Sequence, residues 1–129
     1  MKFEKIDHIG IMVKDLEKAS KFFAELFDTE FNIRDADTES DIRTSMSNPT
    51  CIELVTPLKP DGAAAKALEH RGEGLTMLSL KVPNLEEAIA NMESHGVRLL
   101  RREKLPSAKM AFFHPKDLHG VMLELIERE

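Results

Sequence analysis

The feature that most constrains this chain is a repeat. When IDHIGIMVKDLEKASKFF (6–23) is set above LTMLSLKVPNLEEAIANM (75–92), the two align at an offset of 69 residues. Val13 meets Val82, Leu16 meets Leu85, Glu17 meets Glu86 and Ala19 meets Ala88. Ile6, Ile9 and Ile11 meet Leu75, Leu78 and Leu80, and Asp15 meets Asn84. A repeated supersecondary unit is too small to bury its own apolar face, so two copies must complete a core together.

The period of the apolar residues says what each copy is. Ile9, Ile11 and Val13 alternate with His8, Gly10 and Met12, as in a half-buried strand. After Asp15, a good N-cap residue, Leu16, Ala19, Phe23 and Leu26 fall on one stripe of a helix running to about Phe27. In the second copy Asn84 and Glu87 form a capping-box pattern, Leu85, Ala88, Ile89 and Met92 make the stripe, and Gly96 ends the helix. Strand-like runs follow each helix, at 31–34, 42–47 and 51–56 and again at 97–102, 109–113 and 121–126. Each half therefore reads strand–helix–strand–strand–strand. The expected organisation is one α+β domain over 1–129, with modules of about 1–58 and 73–129. The connector 59–72 joins them, with a turn at Pro60–Gly62 and a short helix over 63–71.

Composition narrows the setting. Hydrophobic residues are 42% and charged residues 32% of the chain, and no apolar run is long enough to span a bilayer. The N-terminal MKFEKIDHIG lacks the apolar stretch of a signal peptide, and the single cysteine, Cys51, excludes an internal disulfide. The expectation is a cytoplasmic protein that does not engage a membrane. A net charge of -5 with scattered Lys and Arg argues against a nucleic-acid partner. The one basic cluster, RLLRREK (98–104), suits a solvated edge or an anionic ligand.

Two glutamates carry the chemistry. CIELV (51–55) and MLELI (122–126) are the last strands of the two halves, and each holds a glutamate inside an apolar run, Glu53 and Glu124. An ionised carboxylate in an apolar setting costs several kcal/mol or more unless it is paired, so a matched pair of them asks for a reason. Adding His8 and its counterpart would make a two-histidine, two-carboxylate set of the kind that holds Zn, Co, Mn, Ni or Fe. The counterpart of His8 is Met77. Three donors, His8, Glu53 and Glu124, remain, enough for a metal with open positions but with lower affinity than four. Each residue also has an ordinary explanation. A strand histidine bonds to backbone, a strand-edge glutamate is solvated, Met77 fills core, and Cys51, on the strand face of Glu53, is a small buried hydrophobe.

DHIGIMVKDLEKASKFF, IELVTPLKPDGAAAKALEHRGEGL (52–75), GEGLTMLSLKV (72–82) and FFHPKDLHGVMLEL (112–125) resemble the vicinal oxygen chelate superfamily, the glyoxalase-like fold. The nearest pattern within it is that of methylmalonyl-CoA epimerases. The resemblance implies two tandem βαβββ modules forming a curled mixed sheet around a central, metal-centred cavity, in a homodimer. It implies a divalent metal ion (Co, Zn, Mn or Ni) on His8, Glu53 and Glu124, weakly held or absent because Met77 stands where the family has a histidine. It further implies proton transfer alpha to the thioester carbonyl of an acyl-CoA, with Glu124 as first base and Glu53 or Glu39, in DADTESD, on the opposite face. The family's Gly-Ala-His-Gly loop is replaced by KLPSAK (104–109). His114 and Lys116, in FFHPKD, stand at a strand end where they either contact substrate or build the turn. Two other functions fit the same fold: metal-free binding of a small hydrophobic molecule in a cavity lined by Met12, Met46, Met77, Met110 and Met122, and a glyoxalase-type lyase with altered ligands.

Overall fold

The computed structural model describes residues 1–34 and 41–129. Among these the element order is β1 (Lys5–Met12), α1 (Leu16–Phe27), β2 (Asn32–Ile33), β3 (Ile42–Ser47), β4 (Ile52–Pro57), α2 (Ala63–Arg71), β5 (Gly74–Lys81), α3 (Leu85–Ser94), β6 (Leu99–Leu105), β7 (Ala108–Phe113), a short 3-10 turn (Pro115–Asp117) and β8 (Met122–Arg128). The strand–helix–strand–strand–strand order thus occurs twice, with one helix between the copies. Both long helices start where the sequence places them. The Asp15 carboxylate accepts from the Lys18 amide at 3.0 Å, and the Asn84 side chain accepts from the Glu87 amide at 3.0 Å. Helix α1 stops at Asp28, which adopts a left-handed conformation, and Gly96 does the same just after α3.

The chain packs as two compact units, 1–9 with 76–129, and 10–75. In the first, the strand order is β1-β5-β8-β7-β6, with β5 parallel to β8 and the β8-β7-β6 ladder antiparallel. Alternation along these strands separates two faces. One carries Leu80, Val82, Ala111, Phe113, Leu123 and Leu125 and is covered by Leu85, Ala88, Ile89 and Met92 of α3. Burying side chains of this size stabilises the unit by about 1.5–3 kcal/mol each. The other face carries Met77 and Ser79 of β5, Met122, Glu124, Ile126 and Arg128 of β8, and Ala108, Met110 and Phe112 of β7.

The second unit orders its strands β2-β3-β4-β1 and packs α1 on them through Val13, Leu16 and Leu54, with Ile11, Ala19, Phe23, Phe31 and Ile52 around that cluster. Here the sequence reading needs two corrections. Leu26, assigned to the packed stripe of α1, is 60% exposed, whereas Leu16 and Ser20 are the buried residues of the helix, Ser20 hydrogen-bonding Ser45 at 2.8 Å. Cys51 is neither on the strand nor buried. It is exposed in the turn before β4 with φ of 58°, its amide directed to the Asn48 carbonyl. Helix α2 begins against Asp41, whose carboxylate accepts from the Ala64 amide at 2.9 Å. A Cβ on Gly62 would lie 1.8 Å from Asp41 Oδ1, so a larger residue there would push the Asp41 carboxylate off the start of α2.

The second strand of the second module, expected over 97–102, starts later and ends later, at Leu99–Leu105. KLPSAK is the tip of the β6–β7 hairpin: Lys104 pairs with Lys109 and Leu105 with Ala108. The arginines of the basic cluster at β6 are in ion pairs, Arg98 with Asp117, Arg101 with Glu103 and Arg102 with Glu86, and the Arg101 guanidinium lies 4.0 Å over the Phe112 ring. The pairs outline a solvated edge.

Candidate functional site

A chain of polar side chains runs across the first unit on the face opposite α3. His8, from β1, is 6% exposed, Glu124, from β8, is 4% exposed, and Ser79, from β5, is fully buried. Ser79 and Glu124 are ladder partners in the parallel β5–β8 pair, which puts their side chains side by side. The Ser79 hydroxyl donates to Glu124 Oε2. His8 Nε2 lies 3.3 Å from the same oxygen. On its other side, His8 Nδ1 is 2.7 Å from Asp7 Oδ2. Asp7 in turn is gripped by Arg128, with Nε at 2.7 Å from Oδ1 and Nη2 at 2.8 Å from Oδ2.

Proton positions follow from these contacts. The Arg128 guanidinium, first, and the hydrogen bond from His8 pull the Asp7 carboxyl down to about 2, against the opposing effect of burial. Asp7 is therefore a charged acceptor at neutral pH, so His8 Nδ1 is the donor in that bond. That leaves Nε2 facing Glu124 Oε2. Two lone pairs 3.3 Å apart repel unless a cation lies between them, and either a proton on Nε2 or a shared metal ion satisfies both.

An imidazole nitrogen and a carboxylate oxygen are donor types that a divalent ion accepts. Donors bound to one ion at about 2.1 Å lie about 3–3.4 Å from each other, which the His8–Glu124 separation matches. Metal-bound histidines typically donate their second ring N–H to a carboxylate, as His8 does to Asp7. Among the described residues, no three His, Cys, Asp or Glu side chains are grouped to hold a metal ion, so the fitting part is this two-donor pair. Met77 stands two residues before Ser79 on the same face, opposite Met122, and packs on Ala108, Met110, Phe112 and Ile126.

Glu53 belongs to the second unit. It is 8% exposed, is the ladder partner of Met46, and has Arg34 Nη1 3.9 Å from its Oε2. Glu39 lies outside the described residues. His114 is engaged in the turn after β7, where its Nδ1 accepts from the Lys116 amide at 3.0 Å. Sequence reasoning did not find Asp7, Ser79 or Arg128. Asp7 and Arg128 are 121 residues apart and follow no repeat, whereas Ser79 had one signal: a hydroxyl among the strand's inward apolar positions, two residues from Met77.

Comparison with known proteins bears on what this site does. A sequence profile described as the Glyoxalase/Bleomycin resistance protein/Dioxygenase superfamily matches residues 7–114. The mitochondrial methylmalonyl-CoA epimerase of Homo sapiens is 28% identical over 127 residues, 94% of this chain and 72% of that protein. A single-site variant of the Streptomyces coelicolor methylmalonyl-CoA epimerase, in complex with 2-nitronate-propionyl-CoA, superposes with a TM-score of 0.87 at 27% identity, covering 98% of this chain and 99% of that one. A methylmalonyl-CoA epimerase in complex with methylmalonyl-CoA and NH4+ superposes with a TM-score of 0.85 at 28% identity, covering 98% and 96%. The α+β fold with its repeated strand–helix–strand–strand–strand order is the glyoxalase-like fold these proteins share.

Proposed function

We propose a function for this chain from one premise: it belongs to the Glyoxalase/Bleomycin resistance protein/Dioxygenase superfamily. Within that family the reading best supported is an epimerase of a methylmalonyl-type acyl-CoA thioester, inverting the carbon alpha to the carbonyl. The relatives named above support the substrate class. The observation that carries the reading is the buried Glu124 carboxylate beside His8, held by Ser79 and supplied by the chain's own strands. A carboxylate kept out of water on a face with Met77, Met110 and Met122 is poised to take a proton from carbon and to hold it. Glu124 is the proposed base. On sequence grounds Glu53 or Glu39 returns the proton on the opposite face. His8, with Nδ1 donating to Asp7, turns Nε2 toward Glu124 Oε2, where a cation between the two would hold the carboxylate in place. A divalent ion (Co, Zn, Mn or Ni), held by His8 and Glu124 with Glu53 as the sequence-based third donor, supplies Lewis-acid stabilisation of enolate charge when bound. The proposal includes a cytoplasmic homodimer.

The test is exchange of the alpha proton of methylmalonyl-CoA into deuterated water, followed by NMR. Wild-type protein is expected to exchange it, and Glu124→Gln to do so about 10²–10⁴-fold more slowly. Wild-type protein that binds the thioester and exchanges nothing sinks the epimerase reading. A second reading draws on the methionines of the Glu124 face: the protein binds a small apolar molecule without chemistry. Metal content separates the two, since the enzyme reading expects one ion per chain that His8→Ala loses.

A further inference from the structure

We propose that Asp7 and Arg128 are positioning residues for His8. They hold its ring proton on Nδ1 and aim Nε2 at Glu124. The inference rests on the reading of His8 as a functional side chain given above.

Successive side chains on a strand point to opposite faces, so Asp7 has no default reason to sit beside the His8 ring. What holds it there comes from the far end of the chain. Arg128, at the last position of β8, lies on the Glu124 face and reaches Asp7 with two parallel N–H donors, 2.7 and 2.8 Å from the two carboxylate oxygens. Such a fork fixes the plane of the carboxylate as well as its charge. Asp7 Oδ2 then takes a second bond, from His8 Nδ1, at 2.7 Å. The Asp7 side chain is 7% exposed, so water does not compete freely for those oxygens.

The consequence is a choice of tautomer. With a shielded carboxylate against Nδ1, moving the ring proton to Nε2 would set a lone pair against a negative oxygen. With a cation shared between His8 and Glu124, it would also put a proton where that cation sits. The order of parts, guanidinium, carboxylate, imidazole, carboxylate, hydroxyl, runs through Arg128, Asp7, His8, Glu124 and Ser79. A surface ion pair that only ties β8 to β1 would need the fork and nothing more. The shared Oδ2 links the fork to the ring.

The test reads the tautomer directly. In ¹⁵N-labelled protein, long-range ¹H–¹⁵N correlation spectra separate protonated from unprotonated ring nitrogens, and His8→Gln identifies the His8 signals. Wild-type His8 is expected to be protonated at Nδ1. In Asp7→Asn the population is expected to shift toward protonation at Nε2 alone, and the affinity for Zn²⁺ measured by calorimetry to fall 10–100-fold. Arg128→Gln is expected to change both in the same direction by less, and Arg128→Lys to recover part of the loss. Wild-type protein with a bare Nδ1 overturns the proposal, even if Asp7→Asn fails to fold. So does an Asp7→Asn protein that is less stable yet keeps the wild-type tautomer and Zn²⁺ affinity. Failure of wild-type protein to epimerise any acyl-CoA would count against the functional reading alone, because the tautomer is measured without turnover.

Discussion

Replacing Ser79 by alanine removes one hydroxyl from the polar chain and tests whether Glu124 is a charged, held carboxylate. The two side chains are 0% and 4% exposed, and the hydroxyl donates to Oε2 of an acceptor already facing His8 Nε2. A buried hydrogen bond to a charged group contributes about 1.5–3 kcal/mol, against about 0.5–1.5 kcal/mol when both partners are neutral. Ser79→Ala should therefore cost about 2 kcal/mol at pH 7, a fall of roughly 5–10 °C in Tm for a domain of this size. In a Glu124→Gln background the bond becomes neutral and the same substitution should cost about 1 kcal/mol. The double-mutant cycle then gives a coupling of about 1 kcal/mol, the part due to charge. Ser79→Thr keeps the hydroxyl and should retain most of the stability. Urea unfolding of the four proteins, with m-values checked for constancy, measures each step. A Ser79→Ala cost that is the same in both backgrounds would refute the charged-carboxylate argument.

Other expectations follow from separate contacts. Met77→His places an imidazole on the Glu124 face, and a calorimetric titration should show Zn²⁺ affinity at least tenfold above wild type; unchanged affinity would mean that residue 77 does not reach the ion. The Asp7 carboxyl drops from 3.8 to about 2 on folding, so its stabilisation is present above pH 4 and is lost as pH falls from about 4 to 2. The unscreened value is roughly 2 kcal/mol, reduced to about 1–2 kcal/mol because the Arg128 side chain is 42% exposed. The wild-type advantage over Asp7→Asn in urea melts should shrink across that window. Gly62→Ala drives a methyl into the Asp41 carboxylate and should cost about 1–3 kcal/mol in the same assay, whereas Gly72→Ala, where open space surrounds the new methyl, meets only the backbone penalty of its φ of 75°.

Much of the fold was legible because it is written locally. The Asp15 and Asn84 caps, the helix spans Leu16–Phe27 and Ala63–Arg71, and the doubled element order all depend on residues within a turn or two of each other. Errors arose where a neighbour outranked the pattern. Leu26 is exposed while Ser20, a polar residue outside the apolar stripe, is buried against Ser45, and Cys51 falls in the turn before β4 with φ of 58°. His8, Glu53 and Glu124 were legible as polar residues inside apolar strands that ask for partners, and in the structure His8 Nε2 lies 3.3 Å from Glu124 Oε2.

The sequence by itself determined the two-fold strand and helix plan and the presence of a buried imidazole and buried carboxylates, since periodicity and the cost of desolvating charge both act along the chain. Only the tertiary structure decided what completes the polar chain. Arg128 reaches Asp7 across 121 residues, and Ser79 meets Glu124 because β5 and β8 lie parallel in one register. Such pairings depend on which strands become neighbours, and strand order is set by the burial of whole faces, which no short stretch of sequence records.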